Sequence, residues 1–484
     1  MIVHEKVQEQ TDFFSPNPDI QQFLFGKEYR LEDLPFSKAI VREHIAHGFI
    51  KVKPGIEPVR CGVFTRFITQ KKWHCNRCGN EDPRAFARCR MKGCDCVYCR
   101  HCLNMGGVIR SYGQLASWAG PEPAARIQPW GHDAKLCAWQ GSLSAQQRSA
   151  SEKLDQALTA GRSFLIWAVA GAGKTELLFP AIEHALLAGK RVALATPRTD
   201  VVKELLPRFR AAFPPVPISA LYGGSEEKVP GAPLVLATTH QLIHFVAYFD
   251  LIFIDEVDAF PFHTDPMLPF AVEKSTRSNA PIAYLTATPP NNLCTAFARG
   301  KIDGVRIPGR YHGFPLPTPE FRWIGNWRTA LHKQFLPHAF KKWVAEKMRA
   351  KVQLFLFVPS LAIVHALTEL LQREGFGRVA GVHSEDPDRH AKVAYFRQGK
   401  LDILVTTTIL ERGVTVPGVE VGVFGADDSI FDERALVQIA GRVGRSANQP
   451  SGDVLFFHNG RTLQMLKARQ HIEMMNQEAG HVRE

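Results

Sequence analysis

The segment AVAGAGKT, from Ala168 to Thr175, contains the residues with the clearest chemistry, and it lies between an apolar run and an amphipathic run. A glycine-rich turn at a helix N-terminus presents backbone amides that can wrap phosphates, and the helix dipole adds attraction. In such a loop Lys174 reaches the terminal phosphates and Thr175 holds Mg²⁺. Alanine replaces glycine at the first position of the usual pattern, but Gly-Lys-Thr is intact. The predicted phosphate-binding residues are Gly171, Ala172, Gly173, Lys174 and Thr175.

Two adjacent carboxylates, Asp255 and Glu256, close the apolar run LIFI. Carboxylates at the end of a buried strand suit a phosphate site better than a core. We predict that Asp255 anchors Mg²⁺ and that Glu256 orients the attacking water and takes its proton as general base. Helix capping by these acids is the structural alternative. Together with the phosphate-binding loop, the pair predicts ATP hydrolysis.

A third group of catalytic candidates lies in QIAGRVGR at 438–445. We expect Gln438, Arg442 and Arg445 to face one cleft, where guanidinium groups bracket the γ-phosphate as arginine fingers. The glycines of the segment allow a close approach. A solvated helix face is the alternative interpretation.

The cysteines form the second strong pattern, since eight of the ten lie in residues 61–105. Two C-x₂-C pairs separated by twenty residues are typical of one tetrahedral Zn²⁺ site. The predicted ligands are Cys75, Cys78, Cys99 and Cys102. Four further cysteines could replace a ligand, form a second site or remain thiols: Cys61, Cys89, Cys94 and Cys96. Basic and aromatic residues around the module suit a single strand or a protein partner, or a minimal core.

The scaffold that must position these groups is indicated by apolar runs separated by helix-like segments. Continuous apolar runs predict parallel sheets buried on both faces. The first set of runs is 164–169, 191–196, 233–238, 251–256 and 282–288, and the second is 352–358, 378–383, 402–407, 419–424 and 453–458. A Gly- and Pro-rich stretch at 307–323 indicates a connector between two domains. Two tandem α/β domains place a nucleotide in the cleft between them.

Composition and charge narrow the class of protein. The chain has 484 residues, 45% of them hydrophobic, which predicts a globular protein with several cores. Without a signal-like N-terminus or an apolar stretch of roughly 18 residues, we expect a cytoplasmic protein, where disulfides are disfavoured. Net charge is +12, and residues 38–135 hold seventeen Lys/Arg against seven Asp/Glu. This favours nucleic acid or an anionic membrane surface as partner, with a merely basic soluble surface as the alternative.

Several segments resemble, in the right order, the motifs of superfamily-two nucleic-acid helicases and translocases. WQGSLSAQQ resembles the Q motif, which implies that Gln147 grips adenine, although a solvated Gln is an equal reading. ATPRTDV and TTHQL resemble strand-contacting loops, and LTATP at 285–289 resembles motif III. TTTILERGVTV at 406–416 resembles motif V, which implies a nucleotide contact at Gly413. The strand contacts that the resemblance implies are Pro197, Arg198, Thr239 and Thr407. The implied fold is a pair of RecA-like domains preceded by a small zinc-binding module, with boundaries at 1–60, 61–111, 112–312 and 313–484.

The four-cysteine module ahead of the motor, together with DEVDAFPF at 255–262, resembles the late-competence DNA-uptake ATPases of the ComFA family. Other matching strings are VYCRHCLNMG at 97–106, TPRTDVV at 196–202 and QIAGRVGR at 438–445. The resemblance implies a cytoplasmic motor, peripheral at the inner face of the membrane and stimulated by single-stranded DNA. It would use ATP, Mg²⁺ and Zn²⁺ to pull transforming DNA inward, with a membrane DNA channel, other competence proteins and further copies of itself as partners.

Two other functions are compatible with parts of the pattern. A primosomal replication-restart helicase also combines motor motifs with zinc-binding cysteines, but in that family the cysteines lie inside or after the motor. A zinc-dependent adaptor could bind ATP as a switch without turnover. Intact Glu256, Arg442 and Arg445 disfavour the switch.

Overall fold

The computed structural model describes residues 14–59, 72–89, 96–105, 107, 109–123, 130–131, 134–412, 414 and 416–481. Cα proximity groups the chain into two compact units. The first consists of Met1–Ala138, Glu183–Phe253 and Phe260–Pro281, and the second of Trp139–Ile182, Ile254–Ala259 and Ile282–Glu484. The second unit contains the predicted phosphate-binding loop, the acid pair and the segment 438–445. The first unit contains the two cysteine pairs.

The N-terminal elements build a small sheet rather than an irregular extension. They are α1 (Pro18–Leu24), β1 (Glu28–Arg30), α2 (Lys38–Ala46), β2 (Ile50–Pro54), β3 (Ile56–Pro58), β4 (Trp73–Cys75), β5 (Phe86–Arg88), β6 (Val97–Cys99), β7 (Ile109–Arg110) and β8 (Gln114–Trp118). Strands β1, β8 and β2 pair antiparallel in that order. Their core comprises Ile20, Leu24, Val41, Ile50 and Ala116. This sheet joins residues on both sides of the predicted boundaries at 60 and 111.

The paired cysteines lie on two small antiparallel sheets between β2 and β8. Strands β3 and β4 form one sheet, and β5, β6 and β7 form the other. Cys75 ends β4 and Cys99 ends β6, and each strand pairs with a neighbour at its cysteine. Each cysteine pair therefore begins at the last residue of a short strand.

The first large sheet has seven strands in the order β11-β12-β10-β13-β14-β9-β15. Its elements are α3 (Ala145–Thr159), β9 (Phe164–Ala168), α4 (Phe179–Leu187), β10 (Val192–Thr196), α5 (Thr199–Ala212), β11 (Ile218–Leu221), β12 (Leu234–Thr238), β13 (Leu251–Asp255), α6 (Met267–Ser275), β14 (Ile282–Thr286), α7 (Asn291–Ala298) and β15 (Asp303–Ile307). Every residue of β9, β10 and β12 is buried, as expected for strands covered on both faces.

The second large sheet has six parallel strands in the order β16-β21-β20-β17-β19-β18. Its elements are β16 (Glu320–Trp323), α8 (Trp327–His332), α9 (His338–Arg349), β17 (Leu354–Phe357), α10 (Leu361–Arg373), β18 (Val379–Val382), α11 (Arg389–Arg397), β19 (Ile403–Thr406), β20 (Glu420–Phe424), α12 (Glu433–Ala440), β21 (Val454–His458) and α13 (Leu463–His481). Trp327, Phe340 and Phe424 lie at the centre of its core. The predicted fold class, two RecA-like parallel sheets after a small cysteine module, is confirmed.

Of the helices in the described part of the chain, none combines the length and the apolar character that crossing a bilayer requires.

Candidate nucleotide site and four-cysteine centre

The predicted phosphate-binding loop leaves β9 and turns at two glycines in the left-handed region. Gly171 has φ +82° and Gly173 has φ +71°, where a side chain would be strained. A Cβ atom at Gly173 would also lie 2.3 Å from Nε2 of Gln147. The loop conformation therefore requires glycine at these positions, which is why the pattern was visible in the sequence.

The helix after the loop begins later than the sequence suggests. Residues Glu176–Leu178 form a 3₁₀ turn, and α4 starts only at Phe179. Pro180 explains the delay, because proline has no N–H to donate to the carbonyl of Glu176 and is tolerated only in the first helical turn. The loop thus keeps its own backbone amides near a helix start, as phosphate binding needs.

Gln147, the predicted adenine contact, has both amide atoms engaged by its own chain. Its Oε1 accepts the Ser144 N–H at 2.9 Å, and Ser144 Oγ accepts the Gln147 N–H in return, so the two residues form a capping box at the start of α3. Its Nε2 donates to the carbonyl of Ala172 at 2.8 Å. Gln147 therefore braces the phosphate-binding loop in this conformation, and adenine contact stays a prediction.

Lys174 reaches back over the loop, where its Nζ donates to the carbonyls of Ala168 at 3.1 Å and Val169 at 3.3 Å. Enclosure lowers the pKa of Lys174, and the carboxylates of Asp255 and Glu256 act in the opposite direction. The amine lies close enough to both acids for this electrostatic coupling. Both hydrogen-bond partners of the amine are neutral carbonyls, and a phosphate would offer it a negative charge instead.

Asp255 ends β13, and the next residue turns sharply. Glu256 adopts φ +58° and donates its N–H to Oδ1 of Asp255 at 2.9 Å. Burial, with a contribution from Glu256, raises the pKa of Asp255 to about 6. Oε2 of Glu256 is buried and has no hydrogen-bond partner within the described chain. An acid with a raised pKa and a carboxylate oxygen without a partner are suited to a site that receives a cation and a water.

A buried ionic cluster beside these acids was missed by sequence reasoning. Asp258 is fully enclosed and accepts from Oγ1 of Thr286 at 2.7 Å, from Oγ1 of Thr288 and from both terminal nitrogens of Arg412. Burial opposes the shift, but Arg412 and the two hydroxyls hold the pKa of Asp258 well below its usual range. Asp258 is the last residue of the string DEVD, and Arg412 lies in the segment that resembles motif V. Their positions within these two motif-like segments were the only sequence features that could have pointed to the ion pair.

The cluster joins the two large sheets through side chains. Thr286 and Thr288 lie at the end of β14 in the first sheet, whereas Arg412 follows β19 in the second. Arg412 also lies 3.9 Å from Oε1 of Glu256. A shift of the second sheet would therefore be felt at the predicted general base.

The predicted arginine fingers differ in their surroundings. Arg442 is buried and donates through Nε to the carbonyl of Glu411 at 2.7 Å and through Nη1 to that of Val414. Arg445 donates through Nε to the carbonyl of Gly441 at 2.9 Å, and its charge helps to lower the pKa of Lys174. Arg445 is thus the guanidinium with a direct electrostatic link to the phosphate-binding loop. Arg442 holds the backbone carbonyls of Glu411 and Val414.

The remaining predicted residues lie at the ends of helices and strands. Gln438 is buried on α12. Thr407 follows β19, and Thr239, which follows β12, is fully buried with a hydroxyl that has no partner within the described chain. Pro197 and Arg198 lie between β10 and α5. Gly413 lies outside the described residues, and the nucleotide and strand contacts stay predictions.

The four predicted zinc ligands come together. Their sulfur atoms all lie within 4.8 Å of one another, and all four residues are buried. Cys75 and Cys102 are 3.7 Å apart at Sγ, as are Cys78 and Cys99. Four thiolates at about 2.3 Å from Zn²⁺ in a tetrahedron are separated by about 3.8 Å. The arrangement fits zinc and excludes disulfides between these pairs.

The local backbone explains how the chain turns at the first cysteine pair, Cys75 and Cys78. Gly79 has φ +71° and donates its N–H to the carbonyl of Cys75 at 2.8 Å, so the chain turns directly after the first pair. Hydrogen bonds among the four sulfurs raise the pKa of Cys102 and Cys78 and lower the pKa of Cys75 and Cys99, so the thiols share protons within the cluster. A bound cation would replace those protons.

Within the described residues the four-cysteine group is the only cluster with metal-ligand geometry. Cys89 directly follows β5 and Cys96 directly precedes β6, and the Cys89 N–H donates to the carbonyl of Cys96 at 2.8 Å. Cys61 and Cys94 lie outside the described residues.

The fold and the site together define a class. One RecA-like sheet carries a glycine-rich loop and an acid pair, and the segment 438–445, called the arginine segment below, belongs to the second. Two such domains are typical of a superfamily-two helicase-type ATPase. The chain matches the Type III restriction enzyme res subunit family over residues 140–291 and the helicase conserved C-terminal domain over 336–447. Residues 10–115 match the competence protein ComFA N-terminal domain. The chain belongs to the ComFA family of competence proteins.

Individual relatives agree with this assignment. The chain is 45% identical to competence protein ComFA of Bacillus subtilis (strain 168) over 464 residues, which cover 96% of each protein. It is 41% identical to competence protein ComFA of Streptococcus pneumoniae, covering 79% of this chain and 86% of that one. Among solved structures, S. cerevisiae Dbp5 bound to RNA and ADP BeF3 superposes with a TM-score of 0.53 at 14% identity, covering 69% of this chain and 88% of that one. The last likeness concerns the fold alone.

Proposed function

We propose that this ComFA-family protein is an ATP-dependent translocase on single-stranded DNA and that it powers the import of transforming DNA during natural competence. The observation that carries the proposal is the ionic cluster of Asp258 with Arg412, which joins the segment after the acid pair to the second RecA-like sheet. Arg412 also lies 3.9 Å from Oε1 of Glu256, so the predicted base is linked to the second RecA-like sheet. In a motor, such a link would couple hydrolysis to domain movement.

The chemistry follows from the residues around the phosphate-binding loop. Lys174 exchanges its carbonyl partners for phosphate oxygens, and Arg445 adds a second positive charge from the other sheet. Glu256, with its unpartnered Oε2, orients a water and accepts its proton. Mg²⁺, held by Thr175 and Asp255, would neutralise charge on the phosphates.

Hydrolysis can be passed to the bound strand through Thr286 and Thr288. Both hydroxyls donate to Asp258, so Arg412 and the two threonines share one carboxylate. Any change in the position of Arg412 after phosphate release alters the acceptor of both threonines. Strand movement would then follow the cycle of domain closure and opening.

Single-stranded DNA as the substrate is supported by charge and by relatives. Residues 38–135 carry a large excess of Lys and Arg, which favours a polyanion. Both relatives are competence proteins, and the fold neighbour Dbp5 was solved with RNA. We extend the proposal to a cytoplasmic location at the inner face of the membrane, beside a DNA channel and other competence proteins, with self-association as a further possibility to test.

The deciding experiment measures ATP turnover alone, with single-stranded DNA and with forked duplex. We expect single strands to stimulate turnover at least tenfold, without strand separation of the fork. Stimulation only by forks, with unwinding, would instead support a replication-restart helicase. The absence of turnover under all three conditions would support an ATP-switch adaptor and reject the motor.

A further inference from the structure

Arg310 belongs to the connector between the two large sheets and to none of the segments that resemble helicase motifs. The matched helicase domains end at 291 and begin again at 336. The first residues of the connector are nevertheless hydrogen-bonded to the phosphate-binding loop. The Val169 N–H donates to the carbonyl of Ile307 at 3.2 Å, and the Tyr311 N–H donates to that of Gly171 at 3.1 Å. Arg310 is therefore fixed next to the residues that wrap phosphate.

The side chain of Arg310 crosses the loop and ends on the arginine segment of the second sheet. A Cβ atom placed on Gly171 would lie 3.7 Å from Cγ and 3.8 Å from Cδ of Arg310. At its far end, Nη1 donates to the carbonyl of Gly444 at 2.6 Å and Nη2 to that of Val443 at 2.8 Å. Arg310 thus spans the short distance between the phosphate-binding loop and the turn that precedes Arg445.

Among the described residues, no carboxylate balances the charge of Arg310. The residue is only 4% exposed, and the one charged group that acts on its pKa is another cation, Arg445. Its Nε is buried and has no hydrogen-bond partner within the same part of the chain. Burial, together with the like charge of Arg445, lowers the pKa of Arg310 to about 10, so the group remains a cation at neutral pH.

A buried cation without an anion is unfavourable unless a ligand supplies the opposite charge. The two carbonyl bonds alone do not explain the charge, because a neutral amide could also donate to a carbonyl. Lys174 and Arg445 lie in the same region, and Arg445 acts electrostatically on both Lys174 and Arg310. Three cations around one glycine-rich loop point to a polyphosphate.

We propose that Arg310 is a triphosphate-binding residue, a third cation that is contributed by the connector and neutralised by the phosphates of bound ATP. The proposal rests on ATP binding at the phosphate-binding loop. In the bound state the Nε–H gains an acceptor, and the tie to Val443 and Gly444 holds Arg445 at the same phosphates. Because the contact is with phosphate, it should not depend on the base.

The test separates charge from hydrogen bonding with two variants of the full chain. Arg310→Lys keeps the positive charge but loses the fork of donors, whereas Arg310→Gln keeps a neutral donor and loses the charge. The matched control is Arg322→Gln, which removes an exposed arginine that pairs with Glu320 on β16. Equilibrium affinity is measured for ATP, ADP and inorganic tripolyphosphate without DNA, together with thermal unfolding of each nucleotide-free variant.

We expect Arg310→Gln to weaken ATP and tripolyphosphate by a similar factor of about ten, equivalent to about 1.4 kcal/mol. Arg310→Lys should lose less than about threefold in affinity, a difference below about 0.7 kcal/mol. The control should match the native protein. Equal losses in both Arg310 variants, accompanied by equal falls in unfolding temperature, would show a purely structural tie and overturn the proposal. Unchanged tripolyphosphate affinity in Arg310→Gln would overturn it as well.

This binding experiment is independent of the motor hypothesis. A native protein that binds ATP through Arg310 but shows no DNA-stimulated turnover would reject the translocase and leave the Arg310 contact standing. A native protein that binds neither ATP nor tripolyphosphate would reject both.

Discussion

Arg412 places both of its terminal nitrogens on the carboxylate of Asp258, and the two side chains are 2% and 0% exposed. Asp258 follows β13 of the first RecA-like sheet and Arg412 follows β19 of the second, so the pair is a buried ionic contact between segments of the two sheets. Such a pair is costly to break on one side only, because the remaining charge stays buried. This relationship makes Arg412 a sensitive point for both stability and turnover.

We expect Arg412→Met to lower the unfolding free energy by roughly 3 kcal/mol, since it leaves Asp258 without a cation. Adding Asp258→Asn should restore part of that loss by removing the stranded charge. Chemical denaturation of the native protein, both single variants and the double variant measures the coupling. Arg322→Met, at an exposed pair, is the control and should cost less than about 1 kcal/mol. Purely additive losses would contradict the assigned pairing.

Lys174→Ala should abolish ATP turnover, with a fall of at least about a hundredfold, because the loop loses the cation that it supplies to the terminal phosphates itself. DNA affinity should remain near that of the native protein, since Lys174 meets phosphate of the nucleotide rather than the strand. The measurements are ATPase rates and binding of a labelled single strand. Lys301→Ala, at an exposed lysine, serves as control. Normal turnover in Lys174→Ala would reject the assignment of the loop.

Asp255 gives the site a dependence on pH. Burial and Glu256 raise the pKa of Asp255 to about 6, so the acid is protonated below that pH, and a protonated acid would not hold the predicted Mg²⁺. We expect Mg²⁺-dependent ATP affinity to weaken about tenfold from about pH 7 to about pH 5. Glu256→Gln should move this midpoint to lower pH, because it removes the neighbouring charge. A midpoint that does not move would contradict the coupling of the two acids.

The same shift fixes the sign of the effect on stability without metal. The unfolded carboxyl has a pKa of about 3.9, below the folded value, so the native state binds more protons between these values. The contribution of Asp255 to stability is therefore fully present below about pH 4 and lost as pH rises through about 6. Asp255→Asn should remove this dependence, which thermal unfolding across pH would detect.

The scaffold was predictable where strands are fully buried. Each of the ten apolar runs forms a strand, because a strand covered on both faces is recognisable from its composition alone. Strands β11, β15 and β16 were missed, and all three lie at sheet edges. The residues of β15 and β16 are mostly half-buried or exposed, whereas β11 is mostly buried but only four residues long, too short to stand out as an apolar run. The sequence DGVRI or EFRW carries no such signal. The second of these strands even falls inside the predicted connector.

The chemistry was predictable where spacing along the chain determines geometry. The glycine-rich loop and the two C-x₂-C pairs are local patterns, and the four sulfurs do meet. The partners of Arg412 and Arg310 depend instead on contacts between residues more than a hundred positions apart. One arginine among many basic residues gives no local sign of such a contact. Gln147 shows the same limit, because its tie to the phosphate-binding loop is tertiary.

The four-cysteine centre leads to a prediction about metal content. The native protein should contain one tightly held zinc per chain from this cluster, and Cys75→Ser with Cys78→Ser should remove it, because two ligands cannot hold a tetrahedral site. The Gly79 knuckle lies against Phe270 of α6, with an added Cβ only 2.5 Å from that ring, so loss of the metal should also loosen this contact. Metal analysis and chelator-induced unfolding are the measurements, since zinc binding contributes folding energy.

The control for the zinc prediction is Cys294→Ser, which changes a cysteine whose sulfur donates to the carbonyl of Pro289 far from the cluster in sequence. It should keep both the zinc and the native resistance to chelators. The Cys75 and Cys78 double variant should unfold at lower temperature and gain nothing from added Zn²⁺, whereas the native protein stripped of metal should recover on its addition. Full zinc content in the double variant would mean that other cysteines hold the ion, and the cluster would lose its assigned role.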